Sequence, residues 1–322
     1  MKKILVTGAT GFLGKQIVKE LLNIGEPLKL FVRNKNKLDS AFKDLNVYVG
    51  DLRDKGNVEE AMDDCDRVIH VAGFVSLYPK DTKTLYEINY NASVNLFEVA
   101  LKKKIKKFIY TNTSSCLGAY SSPNMKLKID TNKLGVPYID SKNLALQEAL
   151  NHYQLGLPIV IICPTFILGE GDHYLTSSEL IYSFLKKKIP GYLNGGLNPV
   201  YVGDVALAHI KALEYGKNGE CYVAAGNENI SLKDLFTTLE KISGVKAPKL
   251  KIPYWLAYFL AFFSELFLRE PDLNRNGIKM GSLYWYFDSL KMENELKVKP
   301  TKLITTLERS VYWITNEFIK KD

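Results

Sequence analysis

Short apolar runs recur through the first 165 residues: KILVTG from Lys3, LKLFVR from Leu28, NVYVGD from Asn46, RVIHVAG from Arg67, KFIYTNT from Lys107 and IVIICPT from Ile159. Each has the length and β-branched content of a strand covered on both faces. The segments between them, such as KQIVKELLNIG from Lys15 to Gly25, repeat apolar residues at helical spacing. Strand and helix in alternation predict an α/β chain, a doubly wound parallel sheet of Rossmann type with helices on both sides. No internal repeat or low-complexity linker interrupts the pattern.

Composition agrees with this picture. A chain of 322 residues, 46% hydrophobic, can bury a large core. Cys65, Cys116, Cys163 and Cys221 show no paired spacing, and no stretch of signal-peptide type precedes the first strand. A reducing, cytoplasmic setting is the expectation. The net charge of +8 raises the question of nucleic acid. Many of its lysines, however, fall in short clusters such as KKKIKK at Lys102 to Lys107 and KKK at Lys186 to Lys188. Such clusters read as solvated faces, and the first ends a helix where cations are favoured. Nucleic acid is not an expected partner.

The chemistry starts in TGATGFLG, Thr7 to Gly14, between the first strand and the first helix. In that position Gly8 would make the tight turn, Gly11 would let the backbone approach a pyrophosphate, and Gly14 would bring helix and sheet together. Thr10, Phe12 and Leu13 complete the loop. Further on, Tyr138-Ile-Asp-Ser-Lys142 opens another helical segment, and residues four apart share a helix face.

Taken together, TGxxGxxG and YxxxK resemble the short-chain dehydrogenase/reductase family. Length and later motifs are most similar to its extended branch, within the NAD-dependent epimerase/dehydratase superfamily. The resemblance implies a catalytic set of Thr113, Tyr138, Lys142 and, by a weaker carry-over, Asn89 in EINYNASVNLFEVA. Thr113 follows from aligning FIYTNTSSCLG with the family's strand-end segment, Ser114 and Ser115 being the alternatives. Tyr138 would act as acid. Lys142 would lower the phenol's pKa and hold the nicotinamide ribose, and Thr113 would orient the substrate oxygen. In GDLRD, Asp51 and Leu52 would meet the adenine; in HVAG, Val71, Ala72 and Gly73 would line the cofactor, with His70 a strand residue and not a catalyst. Pro164 and Phe166 of CPTFILGEGD would lie beside the nicotinamide. Val75, Ser76, Ser114 and Thr165, with Thr113, are the expected substrate contacts. Cys163 stands where the family often has arginine, which weakens the case for diphosphate-sugar substrates.

The second strand ends in Arg33, with Lys35 and Lys37 beyond, where an acid would bind ribose hydroxyls. Arginine suits a 2′-phosphate, so NADP(H) is favoured, with NAD(H) left open. The resemblance also implies a cofactor domain of residues 1–165 plus about 198–226 and a substrate lobe of about 166–197 plus 227–322. Asp204, in NPVYVGDVALAH, is expected to cap a helix.

PYWLAYFLAFFSELFL, Pro253 to Leu268, is shorter than a membrane span and interrupted by Ser264 and Glu265. Burial in the lobe is the base-rate expectation. A wall of the substrate site, and peripheral membrane or partner contact through Trp255 to Leu268, are the alternatives. The motif set is most similar to dihydroflavonol reductase-like and 3β-hydroxysteroid dehydrogenase-like members. It implies an NADP(H)-dependent oxidoreductase interconverting a hydroxyl and a ketone on a mainly apolar small molecule, and a homodimer is common among such relatives. The alternatives are a nucleotide-sugar epimerase or dehydratase that retains NAD, and a non-catalytic cofactor-sensing protein.

Overall fold

Seven strands form one parallel sheet: β1 (Lys3–Thr7), β2 (Leu28–Val32), β3 (Asn46–Val49), β4 (Cys65–His70), β5 (Lys107–Thr111), β6 (Ile159–Pro164) and β7 (Cys221–Ala224). The computed structural model describes residues 2–125, 128–268 and 273–320. The spatial order is β7-β6-β5-β4-β1-β2-β3. The order therefore reverses between β1 and β4, and a crevice opens beyond their carboxyl ends, the usual ligand position in doubly wound sheets.

Alternation along each strand divides the core. Ile4 and Val6 of β1 face α1 (Phe12–Asn23) and a later helix, Val202–Tyr215, whereas Leu5 faces α2 (Lys55–Ala61), α3 (Ala92–Lys102) and α4 (Pro137–Gln154). Lys29 is buried in β2 because its ammonium reaches Asp64 at 2.8 Å.

A separate apolar cluster lies beyond the sheet. It joins α5 (Glu179–Leu185), α7 (Leu232–Ser243) and α10 (Leu303–Ile314), with Phe184 and Phe236 stacked 5.6 Å apart. Buried Asn198 ties this cluster to the sheet. Its Oδ1 accepts from the Gly226 N–H at 2.7 Å and the Thr165 hydroxyl at 2.9 Å. Asp204 does something other than cap its helix, α6 (Val202–Tyr215): the cap residue is Tyr201. The Asp204 carboxylate instead accepts from the Thr301 N–H at 2.7 Å and hydroxyl at 2.9 Å, holding the C-terminal segment.

The expected burial of the apolar segment is overturned. Helix α8 (Tyr254–Phe267) buries only Ala257 and Ala261, against α9 (Arg275–Gly281), while Trp255 is 70% and Phe267 81% exposed. Small residues let the two helices approach closely along one seam, which turns the large side chains of α8 outward. Among the described residues, no helix is long and apolar enough to cross a membrane.

Candidate active site

The glycine loop lies at the reversal of strand order. Gly8 has φ +75°, and a Cβ there would sit 2.6 Å from the Ala72 nitrogen. A Cβ on Gly14 would lie 2.0 Å from the Gly8 carbonyl oxygen. Gly11 is different, since its Cβ would meet only the Gly8 oxygen, at 3.3 Å. The protein's own packing thus demands glycine at 8 and 14, while Gly11 leaves space over the start of α1. Gly11 is the N-cap and has no side chain to cap the helix, and among the described residues no side chain is seen to bond the first-turn N–H groups. Open space above unsatisfied donors fits a diphosphate.

Beside the loop lies a cavity of about 110 Å³ whose lining includes Thr10, Arg33, Asp51, Leu52, Arg53, Ala72 and Gly73. Arg53 escaped the sequence reading. Its guanidinium grips Asp51 at 2.7 and 3.1 Å and holds that carboxyl below the usual range. It also reaches Glu87 at 3.1 Å. The sole sequence signal was its place in GDLRD. Exposed Arg33 and Arg53 put two guanidinium groups at the rim of this cavity.

Behind the cavity runs a buried hydrogen-bond chain. The Thr7 hydroxyl oxygen accepts from the N–H groups of Val71 and Ala72, both at 3.2 Å, and meets His70 Nδ1 at 2.8 Å. His70 Nε2 meets Ser93 Oγ at 3.0 Å, and Ser93 donates to the Asn89 carbonyl at 2.8 Å. Ser93 has one proton, which it gives to Asn89, so Nε2 carries the imidazole proton and Nδ1 accepts from Thr7. Burial pushes the His70 pKa down to about 3. It is a neutral strand residue.

Asn89 lies on a π-helical stretch, Tyr86–Asn91, immediately before α3. Its amide brackets Phe74, accepting from the N–H at 2.7 Å and donating to the carbonyl at 2.9 Å. It also donates to Ser141 Oγ at 3.2 Å, one residue from Lys142. Asn89 therefore fixes the chain just past β4 to the helix bearing Tyr138 and Lys142. Beyond it, Val75 is exposed and Ser76 donates to Asp81 at 2.6 Å.

Helix α4 begins with Pro137, a residue suited to a first helical turn, so Tyr138 and Lys142 occupy its opening turns. The Lys142 ammonium is buried, donates to the Thr111 carbonyl at 3.1 Å and lies 5.4 Å from the Tyr110 ring. Burial lowers its pKa to about 8. Thr113, two residues past β5, neighbours Tyr138, and its hydroxyl donates to Ser115 Oγ at 3.2 Å. Ser114 is buried beside it.

The phenol does not follow the sequence-based expectation. Burial pushes Tyr138 up to about 12 and the nearby Cys116 thiol adds to this, with only the Thr113 hydrogen bond opposing. The Lys142 ammonium is turned to the Thr111 carbonyl, so no net lowering results. Cys116, also missed from sequence, donates to Asn112 Oδ1 at 3.2 Å. On the far side, Pro164 ends β6, Phe166 pairs with Pro199, and the Thr165 hydroxyl is bound to Asn198.

Known proteins resemble this chain over nearly its whole length. The family model described as the NAD dependent epimerase/dehydratase family matches residues 4–225. A Synechocystis protein provisionally named a dihydroflavonol 4-reductase is 34% identical over 97% of this chain and 94% of its own length. Sterol demethylase protein B of Methylococcus capsulatus is 26% identical over 96% of this chain and 97% of its own. The crystal structure of the protein gox2253 superposes with a TM-score of 0.83 at 31% identity, covering 99% of both chains. With the fold, the glycine loop and the Tyr138–Lys142 pair in place, the chain belongs to the NAD-dependent epimerase/dehydratase family, an extended short-chain dehydrogenase/reductase and an NAD(P)-dependent enzyme.

Proposed function

We propose that this enzyme uses NADP(H) to interconvert a hydroxyl and a ketone on a mainly apolar small molecule. The observation that carries the reading is the setting of Tyr138. Tyr138 packs against an apolar cluster whose buried members are Ala119, Val136, Ile139 and Trp285 and which Leu77, Leu134, Met280 and Phe287 also join, a wall built jointly by the chain after β4, the start of α4 and the C-terminal third. Charged sugar diphosphates find little to bind there, whereas a hydrocarbon skeleton would be desolvated at low cost. Relatives named for a dihydroflavonol and a sterol lend support.

The residues divide the work. Gly8, Gly11 and Gly14 with Thr10, Phe12 and Leu13 would hold the diphosphate at the start of α1. Leu52, Val71, Ala72 and Gly73 would line the adenosine side, and Pro164 and Phe166 the far end. Arg33 and Arg53 would bind a 2′-phosphate, since no carboxylate ends β2 to favour the ribose hydroxyl. When bound, the nicotinamide supplies the hydride. Tyr138 gives its proton to the carbonyl oxygen as charge develops, and Thr113 donates a second hydrogen bond to that oxygen. Lys142 positions the ribose, and Asn89 sets the loop and helix around it. A phenol that stays neutral up to about pH 12 is a competent donor in the reducing direction at neutral pH.

The test is turnover of NADPH with a panel of apolar cyclic ketones beside UDP-sugars. Consumption with the ketones alone supports the reading. Interconversion of UDP-sugars without net NADPH loss would assign the chain to the hydride-recycling epimerases instead.

A further inference from the structure

We propose that helix α8 is a docking surface for an anionic lipid bilayer, on which the protein rests as a peripheral enzyme. The inference does not depend on the substrate assigned above.

The helix is amphipathic in an unusual sense. Its inner seam is the alanine pair Ala257 and Ala261, and its outer arc carries Trp255, Phe259, Phe262, Phe263 and Leu266, all between 41% and 70% exposed. These positions recur at helical spacing and form one continuous face. The single charged residue of the helix, Glu265, is removed from that face: it accepts from the Arg275 N–H at 2.7 Å and from its guanidinium at 2.6 Å. An exposed apolar patch of this kind marks an interaction site. Aromatic side chains such as Tyr254 and Trp255 at one end are those favoured at the level of lipid headgroups.

Charge identifies the occupant. A parallel ladder pairs Gly191 with Leu250 and Tyr192 with Lys251, just before α8. The two chains entering that ladder are Lys186-Lys-Lys188-Ile-Pro and Lys246-Ala-Pro-Lys249-Leu-Lys251. Two lysine clusters separate in sequence are thus brought side by side at the foot of the apolar helix. Lys187, Lys188, Lys249 and Lys251 are exposed, as is Leu250 between the last two. Glu240 meets one of the group, Lys246, at 2.9 Å. An apolar face set beside a basic rim is what an anionic bilayer surface recognises, each component being too weak alone. A second copy docked symmetrically through the same face would bring like charges together.

Flotation with lipid vesicles tests this on the full chain. With vesicles of equimolar phosphatidylcholine and phosphatidylglycerol, the wild type should float at low salt and be released as salt rises. Phosphatidylcholine alone should hold it at least about tenfold more weakly. Trp255→Ser combined with Phe267→Ser should lower binding to the anionic vesicles by about tenfold or more, with circular dichroism and thermal midpoint unchanged. Lys249→Glu combined with Lys251→Glu should abolish the preference for anionic lipid. Wild-type protein that stays unbound at low salt would overturn the proposal. So would a dimer in sedimentation velocity that Trp255→Ser dissociates without any vesicle binding, since the occupant would then be a second copy.

Discussion

At the carboxyl ends of β4 and β5, His70, Asn89, Thr113 and Lys142 are less than a tenth exposed, whereas in α8 Trp255 and Phe267 are 70% and 81% exposed. Polar groups are inside in one region and aromatic groups outside in the other. The first region is tolerable because almost every donor and acceptor is matched: Thr7, His70, Ser93 and Asn89 form one chain, and Lys142 has the Thr111 carbonyl. The second is compensated in part, by the Arg275 guanidinium 5.3 Å from the Phe262 ring and by ring contacts of Phe263 with Phe259 and Phe262, and the rest of its apolar face is left to a partner outside the chain. Departures from the ordinary inside-outside rule mark where a fold is committed to something beyond its own stability.

The comparison can be broken most forcefully at Tyr138. Tyr138→Phe should lower turnover by about 100- to 10,000-fold, the usual range for a general acid, and leave cofactor affinity within a few-fold. Steady-state kinetics beside a binding titration would decide it, and retained turnover would remove the phenol from the mechanism.

Lys142 sharpens the point, because a buried ammonium is costly. Its folded pKa of about 8 lies below the ordinary 10.5, so the native state carries a penalty that is full below pH 8 and fades as pH climbs toward 10.5. Lys142→Met should therefore be inactive yet more stable at pH 7, by about 1–3 kcal/mol. The wild type should gain stability between pH 8 and 10.5 relative to the variant. Denaturant unfolding of both proteins across that interval checks the sign.

The smallest effect belongs to α8. Trp255→Ser should change stability by no more than about 0.5 kcal/mol, because the side chain has little to lose from leaving a surface it barely touches. A loss of several kcal/mol in thermal or chemical unfolding would show that the helix is part of the core.

Much of the first region was legible in the sequence. Strands such as IVIIC announce themselves because burial on both faces leaves no room for polar residues, and all the expected runs lie in the sheet, although β3, at its edge, is not covered on both faces and leaves Asn46 and Val49 exposed. The glycine loop and the Tyr138–Lys142 spacing were readable because local geometry fixes where those side chains go. What the sequence concealed depends on distant partners. Apolar content cannot say whether α8 is covered, since that is decided by the narrow alanine seam and by α9. Asp204 sits where a cap would, yet its partner is Thr301, and Arg53 draws meaning only from the cavity that Asp51 and Arg33 share with it. The Tyr138 pKa belongs to the same class, because burial raises it while Lys142, its neighbour on the helix, is turned to the Thr111 carbonyl.

The most direct measurement of the central claim is a fluorescence titration of the purified protein with NADPH and NADH, run in parallel on Arg33→Glu. The account predicts that NADPH binds at least about tenfold more tightly than NADH and that Arg33→Glu erases most of that difference. Equal affinities, or NAD already retained by the purified protein, would contradict it and point to an enzyme that keeps and recycles its hydride.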